Sequence, residues 1–162
     1  DLAATLGADV PMCLAGRPAI VTGVGDRLEP APVLPPCGVL LVNPNVDLPT
    51  AQVFAARRGA FADARPVATE WRDMSGFVEA LSARGNDLTD AAISLRPVVG
   101  EVLAFLRASR GARYAAMSGS GATCFAIYDT LQAARDAALA VPPGWWRAPV
   151  SLTAPTSSLA SP

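Results

Sequence analysis

The sequence predicts an α+β fold: an antiparallel sheet with helices packed on one face. From Gly38 onward the patterning reads strand, helices, strand, strand, helix, strand, which suits a sheet covered by a helical layer. Gly38-Val39-Leu40-Leu41-Val42 is a continuous apolar run, as in a strand buried on both faces. With 51% hydrophobic and 17% charged residues, the 162-residue chain has enough apolar material for a real core. Its length suits one domain, or one domain plus a piece of another.

In chain order, residues 1–6 read as the last turn of a helix stopped by Gly7. Pro11 keeps Val10 out of the helical region. Ala19–Thr22 reads as a strand broken by Gly23 and Gly25, and Arg27-Leu28 begins another extended piece. Pro30, Pro32, Pro35 and Pro36 rule out a helix or central strand, so residues 30–36 read as a crossing between domains. Asn43-Pro44-Asn45 ends the apolar strand. Pro49-Thr50 opens a helix to about Arg58, with Val53, Phe54 and Arg57 at helical spacing. Residues 59–75 read as loop.

Residues 77–83 read as a helix with Phe77, Val78 and Leu81 on one stripe, interrupted by Arg84-Gly85-Asn86-Asp87. Thr89 or Asp90 begins a short helix. A longer one starts at Pro97, with Val98, Val99, Val102, Leu103 and Leu106 on its apolar face. Arg107 and Arg110 sit near its C-terminus, where positive charge suits the helix dipole. Residues 114–117 and 123–128 read as strands; in the second, Thr123, Phe125 and Ile127 face one way and Cys124, Ala126 and Tyr128 the other. Residues 130–141 form an Ala-rich helix ended by Pro142-Pro143-Gly144, and residues 145–153 a final strand. The tail, 154–162, is rich in Ser, Pro and Ala and is expected to be flexible.

Composition excludes whole classes of chemistry. Histidine is absent, which removes a histidine base, a Ser-His-Asp triad and histidine metal ligands. All 13 basic residues are arginine, so no lysine in this chain can cradle a phosphate or form a Schiff base. A net charge of −1 argues against nucleic acid as a main partner. No run approaches the roughly 20 apolar residues of a membrane span, and the N-terminus lacks the basic segment of a signal peptide. Cys13, Cys37 and Cys124 are odd in number and far apart, so reduced thiols in a cytoplasmic setting are expected.

Two features carry chemistry. Asp9, in Leu6-Gly7-Ala8-Asp9-Val10-Pro11, is a lone carboxylate among small and apolar residues. Such a group either bonds local backbone amides in a turn or has its charge put to use. Ser118-Gly119-Ser120-Gly121-Ala122 lies between two strands. It is either a hairpin or a loop whose amides and hydroxyls receive an anion. It is no Walker loop, since no Gly-Lys-Ser/Thr follows, and no dinucleotide fingerprint, since the third glycine is missing. Trp145-Trp146 reads as a core or interface pair, Arg57-Arg58 as a solvated helix face, and Asn86-Asp87 as a turn or cap, with a ligand-bracketing role as the other reading.

The order of these motifs is more specific than any one of them. Leu6-Gly7-Ala8-Asp9-Val10-Pro11, then Gly23-Val24-Gly25-Asp26, Asn43-Pro44, Pro49-Thr50 with Phe54, Gly85-Asn86-Asp87-Leu88, and Met117-Ser118-Gly119-Ser120-Gly121-Ala122 follow one another as in a familiar family. Over residues 6 to about 153 the chain resembles the C-terminal part of the 4-diphosphocytidyl-2-C-methyl-D-erythritol kinases. These belong to the galactokinase, homoserine kinase, mevalonate kinase and phosphomevalonate kinase superfamily.

The resemblance implies a bacterial enzyme that moves the γ-phosphate of ATP, with Mg²⁺, onto a hydroxyl of a cytidyl small molecule in non-mevalonate isoprenoid biosynthesis. It makes Asp9 the catalytic carboxylate and places Ser118, Gly119, Ser120, Gly121 and Ala122 beside the phosphates. It also lines the cytidine pocket with Thr50 and Phe54. It implies a ferredoxin-like domain over residues 37–153, preceded in residues 1–36 by the end of an N-terminal kinase domain and the crossing. The family's glycine-rich ATP loop and the lysine that partners its aspartate are missing from this sequence. The chain is therefore expected to be a C-terminal fragment, inactive alone. The alternatives are a homoserine- or mevalonate-type kinase of the same superfamily, a non-enzymatic ferredoxin-like ligand-binding module, or an interaction module anchored by Trp145-Trp146.

Overall fold

The computed structural model describes residues 18–23, 27–62 and 70–152. Asp9, Cys13, the other expectations for residues 1–17, Gly25-Asp26 and the tail 154–162 lie outside the described residues. Two sheets are present among them: a two-stranded ribbon and a four-stranded sheet. The ribbon pairs β1 (Ala19–Thr22) with β2 (Arg27–Pro30), antiparallel. The proline-rich stretch that follows, 31–36, is neither helix nor strand.

The larger sheet is built from β3 (Cys37–Asn43), β4 (Ala112–Met117), β5 (Cys124–Tyr128) and β6 (Trp146–Leu152). Its order is β4-β5-β3-β6, with every neighbouring pair antiparallel. Numbered along the chain from Cys37, the four strands lie in the spatial order 2-3-1-4, the split βαβ arrangement of a ferredoxin-like fold. β6 is an edge strand, which is why Pro149 is tolerated in it.

The helices are α1 (Thr50–Ala56), α2 (Met74–Arg84), α3 (Thr89–Leu95), α4 (Val98–Ala108) and α5 (Leu131–Ala138). On one face, Leu40 and Val42 of β3 and Cys124, Ala126 and Tyr128 of β5 meet Val99, Val102, Leu103 and Leu106 of α4 and Ala134 and Ala138 of α5. Each fully buried aliphatic chain there contributes about 1.5–3 kcal/mol. Tyr128 is wholly buried, and its hydroxyl meets Ser109 Oγ at 2.6 Å, which satisfies the polar end of that side chain.

The α+β class holds, but the helices are not confined to one face. The opposite residues of the same strands, Cys37, Val39, Phe125 and Ile127, are also apolar, and a second cluster forms on them around Phe77 and Leu81 of α2, with Trp71. The continuous apolar run of β3 demands this second cover. Helix α2 also begins earlier than the residue 77 expected, because the Asp73 side chain accepts from Gly76 N at 2.9 Å and caps it. Thr130 caps α5 in the same way, accepting from Ala133 N. That cap sits directly on β3: a Cβ at Gly38 would lie 2.2 Å from the Thr130 carbonyl oxygen.

Candidate functional site

The loop between β4 and β5, Ser118-Gly119-Ser120-Gly121-Ala122, leaves the sheet at one end and is closed at its base by Ser118 N donating to Thr123 O at 2.9 Å. Inside it, Gly121 N donates to Ser118 O at 2.9 Å. Gly119 and Gly121 both have positive φ, 54° and 88°. At Gly121 a Cβ would meet Met117 Sδ at 2.8 Å and Leu48 Cδ2 at 3.1 Å, so conformation and space both require glycine. At Gly119 a Cβ would have no atom within 4 Å; the backbone there is open to whatever approaches.

Three side chains from distant segments fix this loop. Thr50 Oγ1, at the start of α1, lies 2.8 Å from Ser120 Oγ. Asn43 Nδ2, at the end of β3, donates to Thr123 Oγ1 at 2.9 Å. Asn86 Nδ2 donates to the carbonyl oxygens of both Met117 (3.0 Å) and Gly119 (2.9 Å), while its Oδ1 accepts from Leu88 N at 2.9 Å. Asn43 is itself held, because its Oδ1 accepts from Asn45 N, and Asn45 reaches Gly144 O.

Among the sequence-predicted site residues, the structure therefore brings Thr50 into direct contact with the glycine loop. Phe54 lies one turn further along α1 and is 51% exposed, whereas its neighbour Val53 is fully buried. The helix turns Val53 inward, and the Phe54 ring is left available to a ligand. Asn86 was expected to serve a turn or cap. It does cap the Leu88 amide, but its other two bonds go to the loop, and only a contact 33 residues away in sequence reveals that. Asp87 accepts from Ala62 N at 2.8 Å and faces another segment. Arg57 is not simply solvated: it donates to Gly59 O and Ala60 O and covers the Phe61 ring, with Cζ 3.6 Å from the ring centroid. The tryptophans divide, Trp145 packing edge-on against Phe105 and Trp146 remaining half exposed.

Glycine backbone and two serine hydroxyls are groups that can donate to phosphate oxygens, and the space at Gly119 is unobstructed. The described residues do not by themselves form a magnesium cage: no group of three or more Asp, Glu, His or Cys side chains converges among them. Cys37 and Cys124 are free and buried. Burial pushes the Cys124 thiol up to about 12, against a smaller opposite pull from Arg107, and raises Cys37 as well. No helix among the described residues is long and apolar enough to cross a membrane.

Residues 64–147 match the family described as GHMP kinases C terminal. The chain is 53% identical over 154 residues to the 4-diphosphocytidyl-2-C-methyl-D-erythritol kinase of Paramagnetospirillum magneticum, covering 93% of this chain and 54% of that protein. It is 52% identical over 146 residues to the kinase of the same name from Gluconacetobacter diazotrophicus, covering 90% and 48%. The chain thus spans about half the length of the curated relatives it matches. A crystal structure of 4-(cytidine 5'-diphospho)-2C-methyl-D-erythritol kinase superposes with a TM-score of 0.71 at 34% identity, covering 92% of this chain and 56% of the other. A homoserine kinase from Cytophaga hutchinsonii shares the fold at a TM-score of 0.60 and 17% identity, covering 90% and 50%.

Proposed function

The chain belongs to the GHMP kinases, and from that premise we propose that the protein carrying it transfers the γ-phosphate of ATP to a hydroxyl of 4-diphosphocytidyl-2-C-methyl-D-erythritol, in the non-mevalonate route to isoprenoids. The observation that carries the reading is the junction of Thr50 with Ser120. It joins the segment proposed to receive the cytidine to the loop proposed to receive the phosphates, as a transfer between two bound ligands requires. The identity to kinases of that name supports the choice of substrate.

Phosphoryl transfer asks the protein mainly for positioning and charge neutralisation. In this proposal the Phe54 ring stacks on the base and the Thr50 hydroxyl orients the substrate beside the loop. Ser118, Gly119, Ser120, Gly121 and Ala122 line the phosphate path. Asp9 accepts the hydrogen bond of the attacking hydroxyl. Magnesium would arrive coordinated by the ATP phosphates, and no step is assigned to it through the described residues.

We further propose that residues 37–153 form the C-terminal kinase domain, with 1–36 as the end of the preceding domain and its crossing and 154–162 as a tail. The four-stranded sheet supports this, since it begins at Cys37 and is separate from the β1–β2 ribbon. A cytoplasmic location suits the buried, unpaired thiols.

The test is ATP-dependent phosphorylation of the cytidyl alcohol by the whole protein, wild type and Asp9→Asn. Wild-type turnover and a fall in kcat of about 10²–10⁴-fold in the variant, with folding and binding retained, are expected. Absence of wild-type turnover refutes the substrate, and unchanged kcat in the variant refutes the role of Asp9.

A further inference from the structure

We propose that Asn86 is a positioning residue for phosphate recognition: it aims the backbone amide of Ser120 at the ligand. The inference rests on the kinase reading for the identity of that ligand, but its geometry does not. The two Nδ2 hydrogens of Asn86 are spent on two carbonyl oxygens two residues apart, those of Met117 and Gly119. Oδ1 is spent on Leu88 N. The carboxamide is thus saturated in one orientation, since flipping it would set oxygen against both carbonyls.

In a trans peptide the carbonyl and the N–H of the same unit point in opposite directions. With the Gly119 carbonyl drawn to Asn86, the Ser120 N–H must point away from it. No hydrogen bond engages that N–H among the described residues. By the same rule the Met117 carbonyl turns Ser118 N–H outward, but there it is taken by Thr123 O. One amide of the pair closes the loop and the other is left free. The Ser120 hydroxyl is held by Thr50, so the residue is anchored through both its preceding peptide and its side chain. The free amide flanks the space above Gly119, where nothing lies within 4 Å of a Cβ position. A preorganised backbone donor of this kind loses little when a phosphate oxygen arrives, because its direction is already fixed.

The sequence disguises this function. Asn86 sits in a Gly-Asn-Asp turn, where an asparagine accepting from the amide two residues on is ordinary. That bond occupies only Oδ1; the donors work elsewhere.

Two substitutions separate positioning from simple stability. Asn86→Asp keeps the shape and the acceptor for Leu88 N but sets oxygen against both loop carbonyls, so the loop must turn. Asn86→Ala removes the clamp without adding charge. In the whole protein, both are expected to lower kcat by about 10²-fold, the order seen for loss of one oxyanion donor. The KM for the cytidyl alcohol should stay within about twofold, and Asn86→Gln should recover part of the rate. In parallel, the ¹⁵N–¹H resonance of Ser120 is followed as inorganic tripolyphosphate is titrated. It should move in wild type and stop responding in both variants.

If wild type phosphorylates no cytidyl alcohol yet the Ser120 amide responds to tripolyphosphate in an Asn86-dependent way, the kinase reading falls and the positioning role stands. Unchanged kcat in folded Asn86→Ala, or a Ser120 amide that responds equally with and without Asn86, overturns the proposal. If both variants fail to fold, Asn86 is a stability residue and the proposal is likewise overturned.

Discussion

The hydroxyls of Thr50 and Ser120 meet at 2.8 Å across 70 residues of chain. Thr50 begins α1 and Ser120 tops the loop between β4 and β5, so the contact ties an inserted helix to the sheet at the point where the glycine loop emerges. Thr50 is exposed and Ser120 half-buried, and a neutral hydrogen bond in such a setting adds about 0.5–1.5 kcal/mol at most. Its consequence is geometric: it sets the distance between whatever rests on α1 and whatever rests on the loop. Ser120→Ala and Thr50→Val are each expected to change stability by less than about 1 kcal/mol in urea unfolding. In the whole protein each should lower kcat/KM for the cytidyl alcohol by about tenfold, the kinetic equivalent of one such bond. A large stability loss with unchanged kinetics would make the contact a structural strut.

Phe54 tests the base-stacking role more directly. A phenylalanine in a core costs about 3–5 kcal/mol when truncated, but this ring is half exposed while Val53 beside it is fully buried. Phe54→Leu should therefore leave the melting temperature nearly unchanged, whereas Val53→Ala should lower it clearly. In the whole protein Phe54→Leu should raise KM for the cytidyl alcohol and leave KM for ATP alone. Normal binding of that substrate by the variant would remove the ring from the site.

The legible and illegible parts of this molecule divide along the range of the interactions. Helices α4 and α5 could be read because their signals are local: a five-residue apolar face from Val98 to Leu106, and Thr130 followed by alanines. The alternation in β5 was readable too, with Cys124, Ala126 and Tyr128 on one face of the sheet and Phe125 and Ile127 on the other. What that alternation did not say is that both faces are covered. The start of α2 depends on a cap at Asp73 inside a stretch that looked like loop, and Phe77 of that helix packs on a strand 50 residues later. The glycine loop was visible as composition, but the groups that hold it, Asn43, Thr50 and Asn86, are ordinary turn and helix-start residues whose partners lie far along the chain. Sequence patterning reports local periodicity, and these contacts have none.

The buried thiols give a pH prediction whose sign can be worked out. Cys124 is raised from 9.0 to about 12, chiefly by burial. In the unfolded chain the thiol ionises near its ordinary value, while in the folded protein it stays protonated. Between those values the unfolded state binds fewer protons, so stability falls as pH rises. It is unaffected below about pH 8, where both states hold the proton. Urea unfolding should show a falling midpoint above pH 9, and Cys124→Ala should flatten part of that slope. Alkylation at pH 8 should spare Cys37 and Cys124 in the folded protein and label all three cysteines, Cys13 included, once it is unfolded without reductant. A pair that resists labelling in the unfolded chain would show a disulfide and contradict the free thiols of the structure.

Gly38 is the position where one added methyl group should do most damage. It lies in β3, between β5 and β6, opposite Tyr128 and Ser151. An added Cβ would lie 2.2 Å from the Thr130 carbonyl oxygen, 2.6 Å from its carbon and 2.9 Å from Leu131 Cα. All three are backbone atoms, so no side-chain rotation relieves the clash; α5 would have to lift at its capped end. That end carries the Thr130 cap, and the helix covers β3 and closes the core at Ala134 and Ala138. Losing the cap costs about 1 kcal/mol, and overpacking a dense core adds about 1–3 kcal/mol. Gly38→Ala is therefore expected to destabilise the protein by about 2–4 kcal/mol, a large fraction of the 5–15 kcal/mol typical of a domain. Gly144→Ala provides the contrast, since a Cβ there meets nothing within 4 Å and should be almost silent. Thermal unfolding of the two variants side by side decides the matter: equal melting temperatures would mean that α5 does not pack on β3 as closely as described.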